Sequence, residues 1–193
     1  MPSTPVSIIS PQTDHAHAQL HPQLCRTAAD PRPIVLMTCG IAGSGKSTLA
    51  HSIVSAYPSF YRLSIDSYVY SHHGLWDIDY PRDQYEEYQL EAEEALRTEL
   101  ISALTGGQVD IVLDFSFAYR EVREEWKRLI EGSGGRWALV FLDVDAAELR
   151  RRVRARNERV DKDGDSAFYV TEEILERYLT GFERPDGEGE IVL

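Results

Sequence analysis

The sequence has little of what would place it in a membrane, in a secretory route or on nucleic acid. None of its apolar runs approaches the ~18 residues of a membrane-spanning helix, so no span is expected. The N-terminus has no basic stretch leading into an apolar one and does not read as a secretory signal. Two cysteines, Cys25 and Cys39, cannot supply a disulfide scaffold. Cys39 ends an apolar run and reads as a small buried residue, and a reducing, cytoplasmic setting fits. Cations are scarce: 20 Lys and Arg against 32 Asp and Glu leave a net charge of −12. That balance opposes nonspecific attraction to a polyphosphate backbone, so nucleic acid is not the expected partner. No internal repeat is visible. An apolar content of 42% and a charged content of 27% are those of an ordinary globular chain, and 193 residues suffice for one sizeable core.

What is present alternates. Residues 1–31 are rich in Pro, Ser, Thr, Ala and His without hydrophobic periodicity and are expected to be a flexible extension. His15, His17 and His21 lie there without the companions that a metal site needs. From residue 32 onward a single domain is expected. Apolar strands are predicted at 34–39, 60–65, 109–114, 136–144 and 190–193. Helices are predicted at 46–57, from 82 or 83 to Gly106–Gly107, at 119–131, at 146–160 and from Thr171. Residues 66–82 are expected as an irregular aromatic insert. Strand and helix in alternation make a parallel α/β domain.

The stretch "GIAGSGKST" (40–48) follows an apolar strand and opens a helix, the context required of a phosphate-binding loop. Glycines let successive N–H groups turn inward around phosphate oxygens, and the helix N-terminus adds favourable charge. Gly40, Ala42, Gly43, Ser44, Gly45, Lys46, Ser47 and Thr48 are the expected nucleotide contacts. Lys46 can reach the β- and γ-phosphates, and the Ser47 hydroxyl can ligate Mg²⁺. No Asn-Lys-x-Asp guanine-reading motif follows, so ATP is the default nucleotide.

Ligands of an open α/β sheet sit beyond the C-terminal strand ends. Asp66, after the second strand, is there either a general base that takes the proton of an attacking hydroxyl or a cap on the local backbone. Asp114, closing "DIVLD", either holds Mg²⁺ or contacts the acceptor. Asp143 either caps or holds a loop, and Asp145 is the expected N-cap of the following helix.

Six arginines, Arg150, Arg151, Arg152, Arg154, Arg156 and Arg159, crowd one segment. Arg152, Arg156 and Arg159 share a helix face, where they can neutralise a transferring phosphate. The polar turn 161–166 suits a mobile lid, and 146–170 is read as the lid region. In the insert, Tyr68, His72, His73, Trp76 and Asp77 are the expected contacts of a small-molecule hydroxyl acceptor.

With these residues assembled, 34–190 resembles the P-loop kinases that include polynucleotide 5′-hydroxyl kinases, the zeta-toxin and chloramphenicol phosphotransferase group, and AAA-domain small kinases. "GIAGSGKST" resembles their nucleotide loop, "FYRLSIDSY" the segment ending in their catalytic aspartate, "VDIVLDFSF" their second acidic strand end, and "RARNER" their lid arginines. "FERP" (182–185) resembles the turn near the nucleotide base, which gives Pro185 a nucleotide-binding role. The resemblance implies a P-loop NTPase fold of nucleoside-kinase type: a five-stranded parallel sheet, order 2-3-1-4-5, with flanking helices and a lid. It also implies ATP-dependent phosphoryl transfer using Asp66, Lys46, Arg156, Arg159 and Asp114. Polynucleotide kinases commonly carry an arginine just after the Asp-x-Tyr, whereas this chain has Val69. A regulatory nucleotide-binding switch is the alternative reading, and a polynucleotide kinase the lesser one.

Overall fold

The computed structural model of the protein describes residues 11–193. Five strands, β1 (Ile34–Cys39), β2 (Phe60–Ser64), β3 (Asp110–Asp114), β4 (Arg136–Phe141) and β5 (Glu190–Val192), form one sheet in the order β2-β3-β1-β4-β5. Every neighbouring pair is parallel. The continuous apolar run of β1 is explained by burial on both faces. Val35, Met37 and Cys39 point into one core, and Ile34 and Leu36 into the other. The same alternation continues in β3, where Ile111 and Leu113 oppose Val112.

Helices α4 (Tyr85–Gly106) and α5 (Arg120–Gly132) cover the first face with Leu96, Leu100, Leu104, Trp126 and Ile130. Helix α2 (Lys46–Ala56) covers the second with Leu49, Ala50 and Ile53. It is joined there by α1 (Pro11–Leu24), whose Leu20 and Leu24 are buried. Residues 11–24, expected within a flexible extension, form this docked helix, and residues 1–10 of that extension lie outside the described residues. Tertiary docking overrides a weak local pattern here. His17 Nε2 lies 3.0 Å from Ser52 Oγ, His21 Nδ1 lies 3.0 Å from Tyr57 Oη, and Arg26 clips the segment to the sheet. Arg26 donates to Asp110 Oδ1 at 2.8 Å and to the carbonyls of Gly107 and Val109, and Asp110 Oδ1 also accepts from the Ile34 N–H.

The insert departs from expectation as well. Its first part is helix α3 (Ile65–His73), started by the Ser64 side chain accepting from Ser67 N and stopped at Gly74. The remaining helices are α6 (Ala146–Asn157), capped by Asp145, and α7 (Glu172–Gly181), capped by Thr171. No helix among the described residues is long and apolar enough to cross a membrane.

A buried ion pair ties the C-terminal segment to α5. Arg123 donates through Nε and Nη2 to the two oxygens of Glu188, each at 2.7 Å, and through Nη1 to Phe117 O and Glu183 O. Both side chains are at most 1% exposed. Arg123→Ala leaves a buried carboxylate without its main partner, and a loss of about 3–5 kcal/mol is expected in denaturant unfolding. Hydrogen bonding to Arg123 holds the Glu188 carboxyl below its ordinary value. The pair therefore contributes stability above the unfolded glutamate pKa and loses it as pH falls through the folded one. The acid limb of the stability curve is expected to flatten in the variant.

Candidate active site

Past Cys39 the chain wraps a loop that only glycine permits. A Cβ on Gly40 (φ 153°) would stand 2.6 Å from Ser44 Oγ, and one on Gly43 (φ 87°) 3.0 Å from Val153 Cγ2. Ala42 is half-buried against the Val153–Leu175 cluster, Ser44 is buried, Ser47 is half-buried and Thr48 is exposed. Gly45 caps α2 without a side-chain acceptor, and no acidic residue occupies the helix's first turn. The N–H groups there have no side chain aimed at them, the arrangement an anion takes up. Ser44 Oγ is buried with no hydrogen-bond partner. The Lys46 ammonium donates to Ile41 O at 3.2 Å.

Asp66 sits in the first turn of α3, carried to the sheet edge by β2 and the Ser64 cap. It accepts from Tyr85 Oη at 3.2 Å. Burial pushes its carboxyl above the ordinary range and the charge of Asp114 pushes further, while Arg156, Lys46 and the Tyr85 hydroxyl pull it back. Lys46 in turn is lowered by burial and raised by Asp114 and Asp66. Arg156 is lowered by burial and raised by Asp66. Asp114, Arg156 and Lys46 each act on Asp66, and the four groups form one electrostatic cluster. Tyr80, pushed up to about 12, Tyr85 and Tyr178 are each raised by burial and then by Asp66, so their hydroxyls keep their protons.

Asp114 closes β3 in register with Ser64. Its Oδ2 accepts from Arg62 Nε and Nη2 at 2.9 and 2.5 Å. Arg62 also pairs with Asp165, which lies 2.7 Å from His51 Nε2. The 158–171 segment is thus pinned across to β2, with Gly164 packed against Ser67. Sequence reasoning missed Arg62, though a cation inside a parallel-sheet strand was a usable signal. The role of Asp165 had none.

The arginines of α6 divide. Arg150, Arg151 and Arg154 are paired with Glu172 and Glu176, with Glu148, and with Glu172. Arg152 bonds Glu148 at 2.7 Å and reaches Gly43 O and Ser44 O at 3.4 and 3.3 Å, bracing the loop from its carbonyl side. Arg159 is exposed beside Asp163. Arg156 turns inward: its Nη2 donates to Phe168 O at 3.3 Å, and its buried Nε has no partner.

Of the expected acceptor contacts the structure brings one inward. Trp76 is buried against Phe168, whose ring stacks on Tyr85 beside Asp66. Tyr68 stacks on His72, His73 stacks on Tyr88, and Asp77 is paired with Arg82. Tyr68 and His73 are turned by α3 toward Glu91 and Tyr88 of α4, and Asp77 is exposed in the turn that follows α3. Pro185 is buried, and its neighbours Phe182 and Arg184 line a cleft of about 150 Å³ with Ile41, Leu142 and Leu149. Arg184 lies over Phe141 and is held by Asp143 at 2.8 and 2.5 Å. Among the described residues no three His, Cys, Asp or Glu side chains form a metal cluster.

A family model described as an AAA domain matches residues 35–185. No curated protein matches the chain. Among solved structures, a chain of the Pnkp1/Rnl/Hen1 RNA repair complex is similar at 19% identity and a TM-score of 0.61, over 78% of this chain and 44% of that one. This protein therefore spans less than half the length of that relative. A candidate kinase from Chloroflexus aurantiacus j-10-fl is similar at 18% identity and a TM-score of 0.66, over 83% and 86% of the two chains. A sugar kinase from Janibacter sp. HTCC2649 is similar at 19% identity and a TM-score of 0.55, over 84% and 85%. The fold is that of the α/β P-loop NTPases, with the kinase-like strand order 2-3-1-4-5.

Proposed function

The chain belongs to the AAA domain family, and from that premise we propose that it is an ATP-dependent phosphotransferase acting on a hydroxyl of a small molecule. The observation that carries this reading is the convergence of Lys46, Asp66, Asp114 and Arg156 at the mouth of the glycine loop. A bare nucleotide switch does not need a buried carboxylate with a raised pKa at that point. The loop N–H groups and Lys46 hold the β- and γ-phosphates, and Arg156 completes its donor set on the transferring group. The base lies in the cleft walled by Phe182 and Arg184. Ser47, with Asp114 nearby, would hold Mg²⁺, which would neutralise charge on the phosphates. Asp66 orients the acceptor hydroxyl and takes its proton. The 158–171 segment is the lid that excludes water.

The test is transfer of labelled γ-phosphate from Mg·ATP to a panel of hydroxyl compounds and 5′-hydroxyl oligonucleotides. A labelled small molecule is the expected product. Labelled free phosphate alone turns the reading into a switch, and a labelled oligonucleotide turns it into a polynucleotide kinase. The raised pKa of Asp66 sets the pH dependence. Only the ionised carboxylate accepts a proton, so kcat/KM is expected to rise with pH along a limb displaced above the ordinary aspartate value of about 3.9. A limb at the ordinary value removes Asp66 from the role.

A further inference from the structure

The surroundings of Asp66 carry a statement about the acceptor, one that rests on the kinase reading. The Tyr85 hydroxyl donates to the carboxylate at 3.2 Å, and the field of Asp66 reaches the hydroxyls of Tyr80 and Tyr178, which keep their protons. The cations acting on it are Lys46 and Arg156, both assigned to the triphosphate. In the neighbouring insert, Arg82 is committed to Asp77 at 2.5 Å, and His73 is stacked on Tyr88 with Glu91 at 3.2 Å. Arg82 stands 4.9 Å from the centroid of the Trp76 ring with its charge matched by Asp77, so it offers no free cation to an anionic acceptor.

Aromatic surface is abundant there. Phe168, half-buried on the lid, lies flat on Tyr85 with centroids 4.1 Å apart and planes 12° apart, and it meets Trp76 edge-on at 5.0 Å. Two buried donors without partners flank it. Trp76 Nε1 belongs to the ring that Phe168 touches, and Arg156 Nε to the guanidinium that bonds Phe168 O. A well-packed apolar plug would not leave two buried N–H groups unpaired, since each costs free energy until satisfied.

We propose that the ring of Phe168 stands where the acceptor binds, and that the site formed by Tyr85 and Trp76 takes an uncharged, hydroxyl-bearing ring compound that displaces Phe168 as the lid moves. The acceptor ring lies on Tyr85, and one of its polar atoms satisfies Trp76 Nε1. Its hydroxyl oxygen forms the new bond to the γ-phosphorus and its proton goes to Asp66. The bond from the γ-phosphorus to the bridging oxygen breaks, and that electron pair leaves on ADP. Phe168 is then a specificity residue that competes with the substrate.

The sign of one variant tests this. Glucose, uridine and benzyl alcohol serve as neutral ring probes, glycerol as a neutral open-chain probe and uridine 3′-monophosphate as an anionic one. Transfer from labelled ATP is followed with wild type, Phe168→Ala and Phe168→Leu, with a melting curve for each. Transfer to a neutral ring is expected, with KM lowered about two- to tenfold by Phe168→Ala, the worth of one aromatic pair, and less by Phe168→Leu. A raised KM in both folded variants, or glycerol or uridine 3′-monophosphate used as well as the rings, overturns the inference and leaves the kinase reading standing. ATP turnover with no probe labelled overturns both.

Discussion

Arg156→Ala is expected to lower kcat for phosphoryl transfer by about 10³-fold or more, the range of an arginine that neutralises a transferring phosphate. Its guanidinium is the one member of the arginine-rich helix α6 that turns toward Asp66, and its Nε has no partner. Arg150, Arg151 and Arg154 are bound to glutamates at the surface, so alanine there is expected to cost little activity. The variant has a second signature. Arg156 is the larger of the two cationic influences that draw the Asp66 carboxyl down, so its removal is expected to move the rising limb of kcat/KM to higher pH. Steady-state kinetics across pH read both effects. Arg156→Lys is expected to restore the position of the limb more than kcat, because an ammonium keeps the charge but not the planar fork. A lower melting temperature with kcat intact would reduce Arg156 to a prop for the lid carbonyl it bonds.

Asp66→Asn is the second large effect, about 10²- to 10⁴-fold in kcat, the usual contribution of a positioned general base. The amide has nearly the shape of the carboxylate and retains an oxygen for the Tyr85 hydroxyl, so the fold should survive. The pH limb is expected to vanish with the carboxylate. Removing a buried, partly uncompensated charge is also expected to leave thermal stability level or raise it, since Asp66 ionises only against burial and the field of Asp114. Loss of activity with a level melting curve separates chemistry from folding. Unchanged transfer in the variant would leave Asp66 no more than a first-turn residue of α3.

The sheet could be read from the sequence because burial on both faces writes itself as unbroken apolar runs, as in "IVLMTC". The glycine loop could be read because phosphate binding fixes residue types at fixed spacing. Helix α3 could not. Its Ser, Tyr, Val and His are poor helix formers, and the helix exists because Ser64 caps it and Val69 packs against Trp76, Tyr80 and Tyr85. Helix α1 was hidden for the same reason, since only docking on α2 and β1 gives Leu20 and Leu24 somewhere to go. Asp66, Asp114 and Lys46 announced themselves as strand-end and loop residues. The pairing of Arg62 with Asp114 joins residues 52 positions apart, and Phe168 reaches Tyr85 from another element entirely, so no local pattern encodes either contact.

The Arg26 clip sets a clock on the newborn chain. Its partner Asp110 lies 84 positions further on. At a synthesis rate of about 5–20 residues per second, roughly 4–17 s pass between the making of one and of the other. For most of that interval Leu20 and Leu24 have only β1 and α2 to pack on, because β3 and β4, which complete their core, have not yet been made. Helix α1 is therefore fully seated only after β4 has been made, and until then its two leucines are partly surface that a chaperone can hold.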